Sequence, residues 1–173
     1  QTGLAQLVSP DLLVWPETAV PGVLPFDEAS LAFIKEQARA GTPLLLGALD
    51  AEREADTGRV VCWNAALLFD GQGELIDRYR KIRLVPFGEY LPFDRVIPFL
   101  RRFSPLGISC LPGAELTIFR LPGEKRTAFA ALICFEDAFA DLSRGFVALG
   151  AALLINQTND AWFDGSSGAR QHM

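Results

Sequence analysis

Short aliphatic runs alternate along the chain with stretches whose apolar residues recur every three or four positions. Leu12 to Trp15 is a brief apolar run that reads as a buried strand. Glu28 to Ala40 places Leu31, Ile34 and Ala38 on one helical face, and Gly41 ends it. Leu44 to Leu49 predicts the next strand. Val60 to Phe69 predicts a long one, which Asp70-Gly71-Gln72-Gly73 turns back into Glu74 to Tyr79 as a hairpin. Pro86 to Pro92 predicts a loop, and Phe93 to Phe103 is apolar but irregular, with Pro98 inside. Leu116 to Leu121 and Thr127 to Cys134 predict a second strand pair around Pro122-Gly123. Asp137 to Leu149 predicts a helix with Phe139, Leu142, Phe146 and Leu149 facing inward and Gly150 as its stop. Ala151 to Ile155 then predicts a buried strand, and Asn156 to Gly168 a polar loop. Strands alternating with helices argue for an α/β class, and the two hairpins for mixed sheets.

Composition narrows the function. With 173 residues, half of them hydrophobic and 21% charged, one domain with a substantial core is expected. The net charge is -5 and basic residues cluster only at Arg101-Arg102 and from Arg78 to Arg83, so no face suits nucleic acid. The longest apolar run, Phe146 to Ile155, is well short of the roughly 18 residues a membrane span needs, so any anchor is expected outside this stretch. Gln1 enters without a cap and Gln171-His172-Met173 lacks a terminator, which predicts a fragment of a longer chain. Three Cys with no close spacing (Cys62, Cys110 and Cys134) make a poor disulfide framework, and a single His makes a poor metal site. Cys62 and Cys110 read as packed thiols.

Three positions stand out chemically. Cys134 follows the apolar run Ala130 to Ile133 where a strand gives way to a helix. Backbone N–H groups and the positive helix end there favour thiolate, and the Phe135 amide is a candidate oxyanion donor. Taken alone, a Cys with apolar flanks is more often a packed thiol. Glu17 projects beyond a strand stopped by Pro16, beside Trp15, where burial raises a carboxyl pKa toward that of a general base; a solvated loop acid is the plainer alternative. Lys81 lies in Tyr79-Arg80-Lys81-Ile82-Arg83, where one cation turned inward could stabilise an oxyanion and a solvated basic patch is the simpler reading. Glu89, between Pro86 and Pro92, and Glu136, two residues after Cys134, are further candidates.

Together, a Glu, a Lys and a Cys at successive strand ends resemble the triad of the nitrilase, or carbon–nitrogen hydrolase, superfamily. The strings WPET (Trp15 to Thr18), YRKIRLVPFGEYLP (Tyr79 to Pro92), ICFED (Ile133 to Asp137) and TNDAWF (Thr158 to Phe163) resemble its apolipoprotein N-acyltransferase branch over nearly the whole chain. The resemblance implies a nitrilase-like α-β-β-α sandwich, incomplete at both ends, with residues 1–173 as one truncated domain and a membrane-helix bundle outside it. It implies Glu17 as general base, Lys81 as oxyanion stabiliser and Cys134 as nucleophile. Glu89 and Glu136 match supporting acids, and Trp162 falls near the floor of the site.

It further implies acyl transfer through a Cys134 thioester with no cofactor and no metal. The donor is a phospholipid, and the acceptor is the α-amine of a diacylglyceryl-modified apolipoprotein. The setting implied is the bacterial inner membrane, with this domain facing the periplasm. The apolar segment carrying Phe93, Ile97, Phe99, Leu100 and Phe103 reads from its pattern equally as a packed core helix; the resemblance implies a lipid-facing arm. Two rivals share the fold: a soluble amidase that uses water as acceptor, and a catalytically dead binding domain.

Overall fold

The computed structural model describes residues 10–38, 41–86, 88–90, 109–122 and 127–159. Trp162 and the segment bearing Phe93, Ile97, Phe99, Leu100 and Phe103 lie outside them.

The first sheet contains β1 (Leu13–Val14), β2 (Val23–Leu24), β3 (Leu44–Arg53), β4 (Val60–Phe69) and β5 (Leu75–Arg80). β1 and β2 both run parallel to β3, against its start and its middle, while β3, β4 and β5 form an antiparallel meander. The second sheet has β6 (Phe119–Arg120) antiparallel to β7 (Ala128–Ile133), with β8 (Leu153–Gln157) parallel to β7. Helix α1 (Glu28–Ala38) covers one sheet and α2 (Ala140–Ala148) the other.

Period-two alternation explains the layering. From β3 and β4, Leu44, Leu46, Ala48, Ala65, Leu67 and Phe69 pack under Ile34 and Ala38 of α1. Leu45, Ala66 and Leu68 turn the other way, against Phe119 and Phe129 of the second sheet. Leu142 and Phe146 of α2 close the fourth layer. The result is the α-β-β-α sandwich expected.

Several boundaries differ from those the pattern predicts, each for a local reason. β2 was not foreseen, because two residues between Gly22 and Pro25 are too few to show a period. β3 runs four residues past Leu49, since Asp50 and Glu52 are neutralised from β5 by Arg78 and Arg80. Leu116 to Leu121 is a strand only at Phe119–Arg120. The single helix predicted from Asp137 is two pieces: a 3-10 turn, Cys134–Ala138, and then α2, with extended Phe139 between them. Leu149 caps α2 and is 55% exposed, so it does not face inward. The strand expected at Ala151 to Ile155 slides to Leu153–Gln157, because the Ala151 N–H donates to Phe146 O and closes the helix instead. Leu153 is 52% exposed, so β8 is not buried on both faces among the described residues.

Candidate active site

Glu17 is held where β1 runs out. The Trp15 N–H donates to Leu45 O at 2.9 Å, and Ala19 N–H to Gly47 O at 2.9 Å, so the loop hugs β3. A Cβ on Gly47 would lie 2.4 Å from Pro16 O and 2.6 Å from the Glu17 Cα; only glycine admits this approach. Thr18 adopts a φ of 47°, which reverses the chain and leaves Glu17 buried between the sheets.

Lys81 follows β5. Its N–H donates to Asn64 O at 2.8 Å and its carbonyl accepts from Gly113 N–H at 2.8 Å, so the main chain is pinned on both sides. The side chain is 1% exposed. A lone ammonium so placed would cost several kcal/mol. Glu89 at 2.9 Å and Glu17 at 3.5 Å compensate it. Burial pulls the ammonium pKa down, but Glu89 and Glu17 outweigh that and hold it above its ordinary value.

Asn64, on β4, joins the two acids: its Nδ2 donates to Glu17 Oε1 at 2.7 Å and to Glu89 Oε1 at 2.5 Å. Glu89 Oε2 also accepts from the Val85 N–H at 2.9 Å. Both Glu89 oxygens are thus engaged. Glu17 differs: Oε1 takes Asn64 and Lys81, and Oε2 accepts nothing from the described residues. Among the described residues, Glu17 thus keeps one oxygen without a donor, whereas Glu89 does not.

Cys134 opens the 3-10 turn with a φ of 53°, a left-handed conformation costly for a residue with a Cβ. Glu136 braces that turn. It is fully buried, and its Oε2 accepts from the Ile133 N–H at 2.9 Å. Its Oε1 accepts from the Tyr79 hydroxyl (2.9 Å) and from the Ile82 (2.8 Å) and Arg83 (3.0 Å) amides. One carboxylate therefore ties the end of β5, next to Lys81, to the end of β7, next to Cys134. Burial pushes its pKa up against the pull of these donors.

The Cys134 thiol lies within electrostatic reach of both Glu17 and Lys81. Its pKa is raised by burial and by Glu17, against the opposing pull of Lys81, the Phe135 N–H and a Thr158 hydrogen bond. This corrects the expected thiolate. The α-helix begins only at Ala140, and a helix end acts over about one turn, so desolvation wins. The sulfur therefore rests as a thiol.

Glu17, Lys81, Cys134, Glu89, Glu136 and the Phe135 amide thus gather at one place between the sheets. Asn64 was missed, although a lone amide inside the apolar run Cys62 to Phe69 is itself a signal: a buried polar group must find partners. Cys62 and Cys110 are free, buried neighbours in a small apolar cluster beside the site, with Leu111 N–H donating to Cys62 O at 2.7 Å. Among the described residues no group of His, Cys, Asp or Glu is placed to hold a metal, and no helix is long and apolar enough to cross a membrane.

Comparison with known proteins gives the family. The carbon–nitrogen hydrolase profile matches residues 5–173. The chain belongs to the carbon–nitrogen hydrolase family. Its similar relatives include the apolipoprotein N-acyltransferases of Brucella suis, 39% identical over 166 residues, and Geobacter metallireducens, 38% over 164. Each alignment covers 94% of this chain and 30% of the relative, so the chain spans about a third of their length. Among solved structures, a mutant of a Nesterenkonia amidase of the nitrilase superfamily superposes with a TM-score of 0.64 at 20% identity, covering 91% of this chain and 55% of the amidase. A Saccharomyces cerevisiae member of branch 10 of that superfamily gives 0.58 at 20% identity, covering 90% and 54%. For a carbon–nitrogen hydrolase the two-sheet sandwich is thus the family's fold.

Proposed function

We propose that this chain is the catalytic portion of an apolipoprotein N-acyltransferase, working through a covalent Cys134 thioester. Glu17 Oε2 takes the thiol proton as the sulfur attacks an ester carbonyl of a phospholipid. Lys81 and the Phe135 amide stabilise the tetrahedral oxyanion, and as it collapses the lysophospholipid leaves with the proton that Glu17 had taken. The α-amine of a diacylglyceryl-Cys apolipoprotein then attacks the thioester and gives up a proton to Glu17, which passes it to the departing Cys134 sulfur as the acylated product leaves. Glu89 and Asn64 fix the Lys81 ammonium and the Glu17 carboxylate; Glu136 holds the nucleophile's turn.

The observation that carries this reading is the pairing of a raised thiol with one carboxylate that keeps an oxygen free, beside a buried, charged lysine. The acyl chemistry follows the relatives: 39% identity over 94% of the chain favours a lipid donor and an amine acceptor. The amidase fold neighbours favour one other reading, in which water is the acceptor. The membrane setting, the periplasmic face, the lipid-facing arm and the role of Trp162 belong to this proposal.

The test is capture of the intermediate. Intact protein mixed with phosphatidylethanolamine is expected to carry a hydroxylamine-sensitive acyl group, absent from Cys134→Ala. Acyl label persisting on Cys134→Ala would refute the nucleophile. Discharge of the wild-type acyl-enzyme to water as fast as to a diacylglyceryl-Cys peptide would favour the amidase.

A further inference from the structure

The end of β8 touches both halves of the reacting pair. The parallel register sets Ile133 opposite Gln157, so Cys134 and Thr158 are the next residues out from two adjacent strand ends. The Thr158 hydroxyl hydrogen-bonds the Cys134 sulfur. The residues on either side reach the opposite sheet: Gln157 Nε2 donates to Trp15 O at 2.6 Å, and Asn159 Nδ2 to Glu17 O at 3.3 Å. These two bonds grip the backbone before and after Pro16, the segment that aims the Glu17 carboxylate.

Gln157 is buried, and its carbonyl oxygen has no partner among the described residues. A leucine would fill a similar volume without stranding an acceptor, so what the amide contributes is its donor, to Trp15 O at 2.6 Å and more weakly to Leu45 O at 3.4 Å. The charged groups that face the sulfur are Glu17, from the loop after β1, and Lys81, from the end of β5. Glu89 is occupied by Lys81 and Asn64, Glu136 by its own donors, and Asp137 accepts from Asn156 at 2.8 Å. Among the described residues, Lys81 thus acts on the sulfur through its charge and Thr158 through a side-chain hydrogen bond as negative charge develops there.

We infer that Gln157-Thr158-Asn159 is a strap that keeps base and nucleophile in register, with Thr158 stabilising the forming thiolate and Gln157 and Asn159 positioning Glu17. The inference rests on the acyl-enzyme reading above. No group is transferred in the strap itself: as the S–H proton passes to Glu17 Oε2, the Thr158 O–H donates to the sulfur and keeps its own proton.

The test is iodoacetamide alkylation at Cys134 of the intact protein, followed by peptide mass spectrometry across pH. Thr158→Val is expected to move the alkylation limb up by about one pH unit and to slow acylation at neutral pH by about tenfold. Thr158→Ser should restore both, and Thr158→Ala serves if the valine variant does not fold. Gln157→Leu should lower kcat with little change in KM and should not move the alkylation limb upward, because it acts on Glu17, whose charge raises the thiol pKa. An unmoved limb in both Thr158→Val and Thr158→Ala, or an unchanged kcat in Gln157→Leu, would overturn the strap. If the limb moves but wild type forms no acyl-thioester, the strap survives and the acyltransferase reading fails.

Discussion

Two clusters of paired acids and cations lie on opposite faces of the first sheet. On the inner face, Glu17, Asn64, Lys81 and Glu89 are sealed between the sheets. On the outer face, beyond the cover of α1, Asp50 and Glu52 of β3 meet Arg78 and Arg80 of β5, with Arg80 also stacked 3.6 Å over the Trp63 ring. In the outer ladder Arg78 and Glu52 sit at the edge of solvent, where such pairs contribute about 0–1 kcal/mol, while Asp50 is buried and held by both arginines. The inner cluster sets two carboxylates against one ammonium in a buried site and, among the described residues, leaves one carboxylate oxygen without a donor. The residue types are alike; desolvation makes one set cross-strand glue and the other a candidate for proton transfer.

The largest effect should come from the inner cation. Lys81→Met leaves Glu17 and Glu89 facing each other with only Asn64 between them, so acyl-enzyme formation is expected to fall by about 10²–10³-fold or more. Chemical denaturation should show a loss of about 3–5 kcal/mol. A variant turning over near the wild-type rate would make the inner cluster merely another structural ladder.

Glu136→Gln comes next. An amide cannot accept from all the donors Glu136 now serves, so stability should drop by about 1–3 kcal/mol, with turnover falling further as the Cys134 turn relaxes. Denaturation and single-turnover acylation separate the two losses.

The inner cluster also predicts a pH signature. The folded pKa of Lys81 lies above its ordinary value of 10.5, so folded protein binds that proton more tightly than unfolded chain. The stabilisation is complete below 10.5 and is lost as pH rises through the folded value. Thermal melts above that pH should fall more steeply for wild type than for Lys81→Met.

The smallest effect belongs to the outer face. Arg78→Ala should cost under about 1 kcal/mol, diminish further in high salt, and leave acylation unchanged. A catalytic defect in that variant would erase the distinction between the two faces.

The positions of Glu17, Lys81 and Cys134 at strand ends were legible along the chain because Pro16, the β5 exit and the β7 exit punctuate the apolar pattern. The α/β class and mixed sheets were legible because period-two and helical repeats name the buried faces, while the four-layer sandwich was what the family resemblance implied. Asn64 was readable in principle, as a polar residue where none belongs. Leu149 misled, because the helical pattern continued one residue past the point where the helix capped itself.

Local periodicity and punctuation thus determined which residues enter the core and which stand at the ends of elements, since those properties depend on near neighbours in the chain. Tertiary structure alone decided which carboxylate oxygen stays free, whether the thiol pKa rises or falls, and that Glu136 and Gln157 span the two sheets. Each of those depends on desolvation and on donors tens of residues away, and no spacing along the chain encodes such distances.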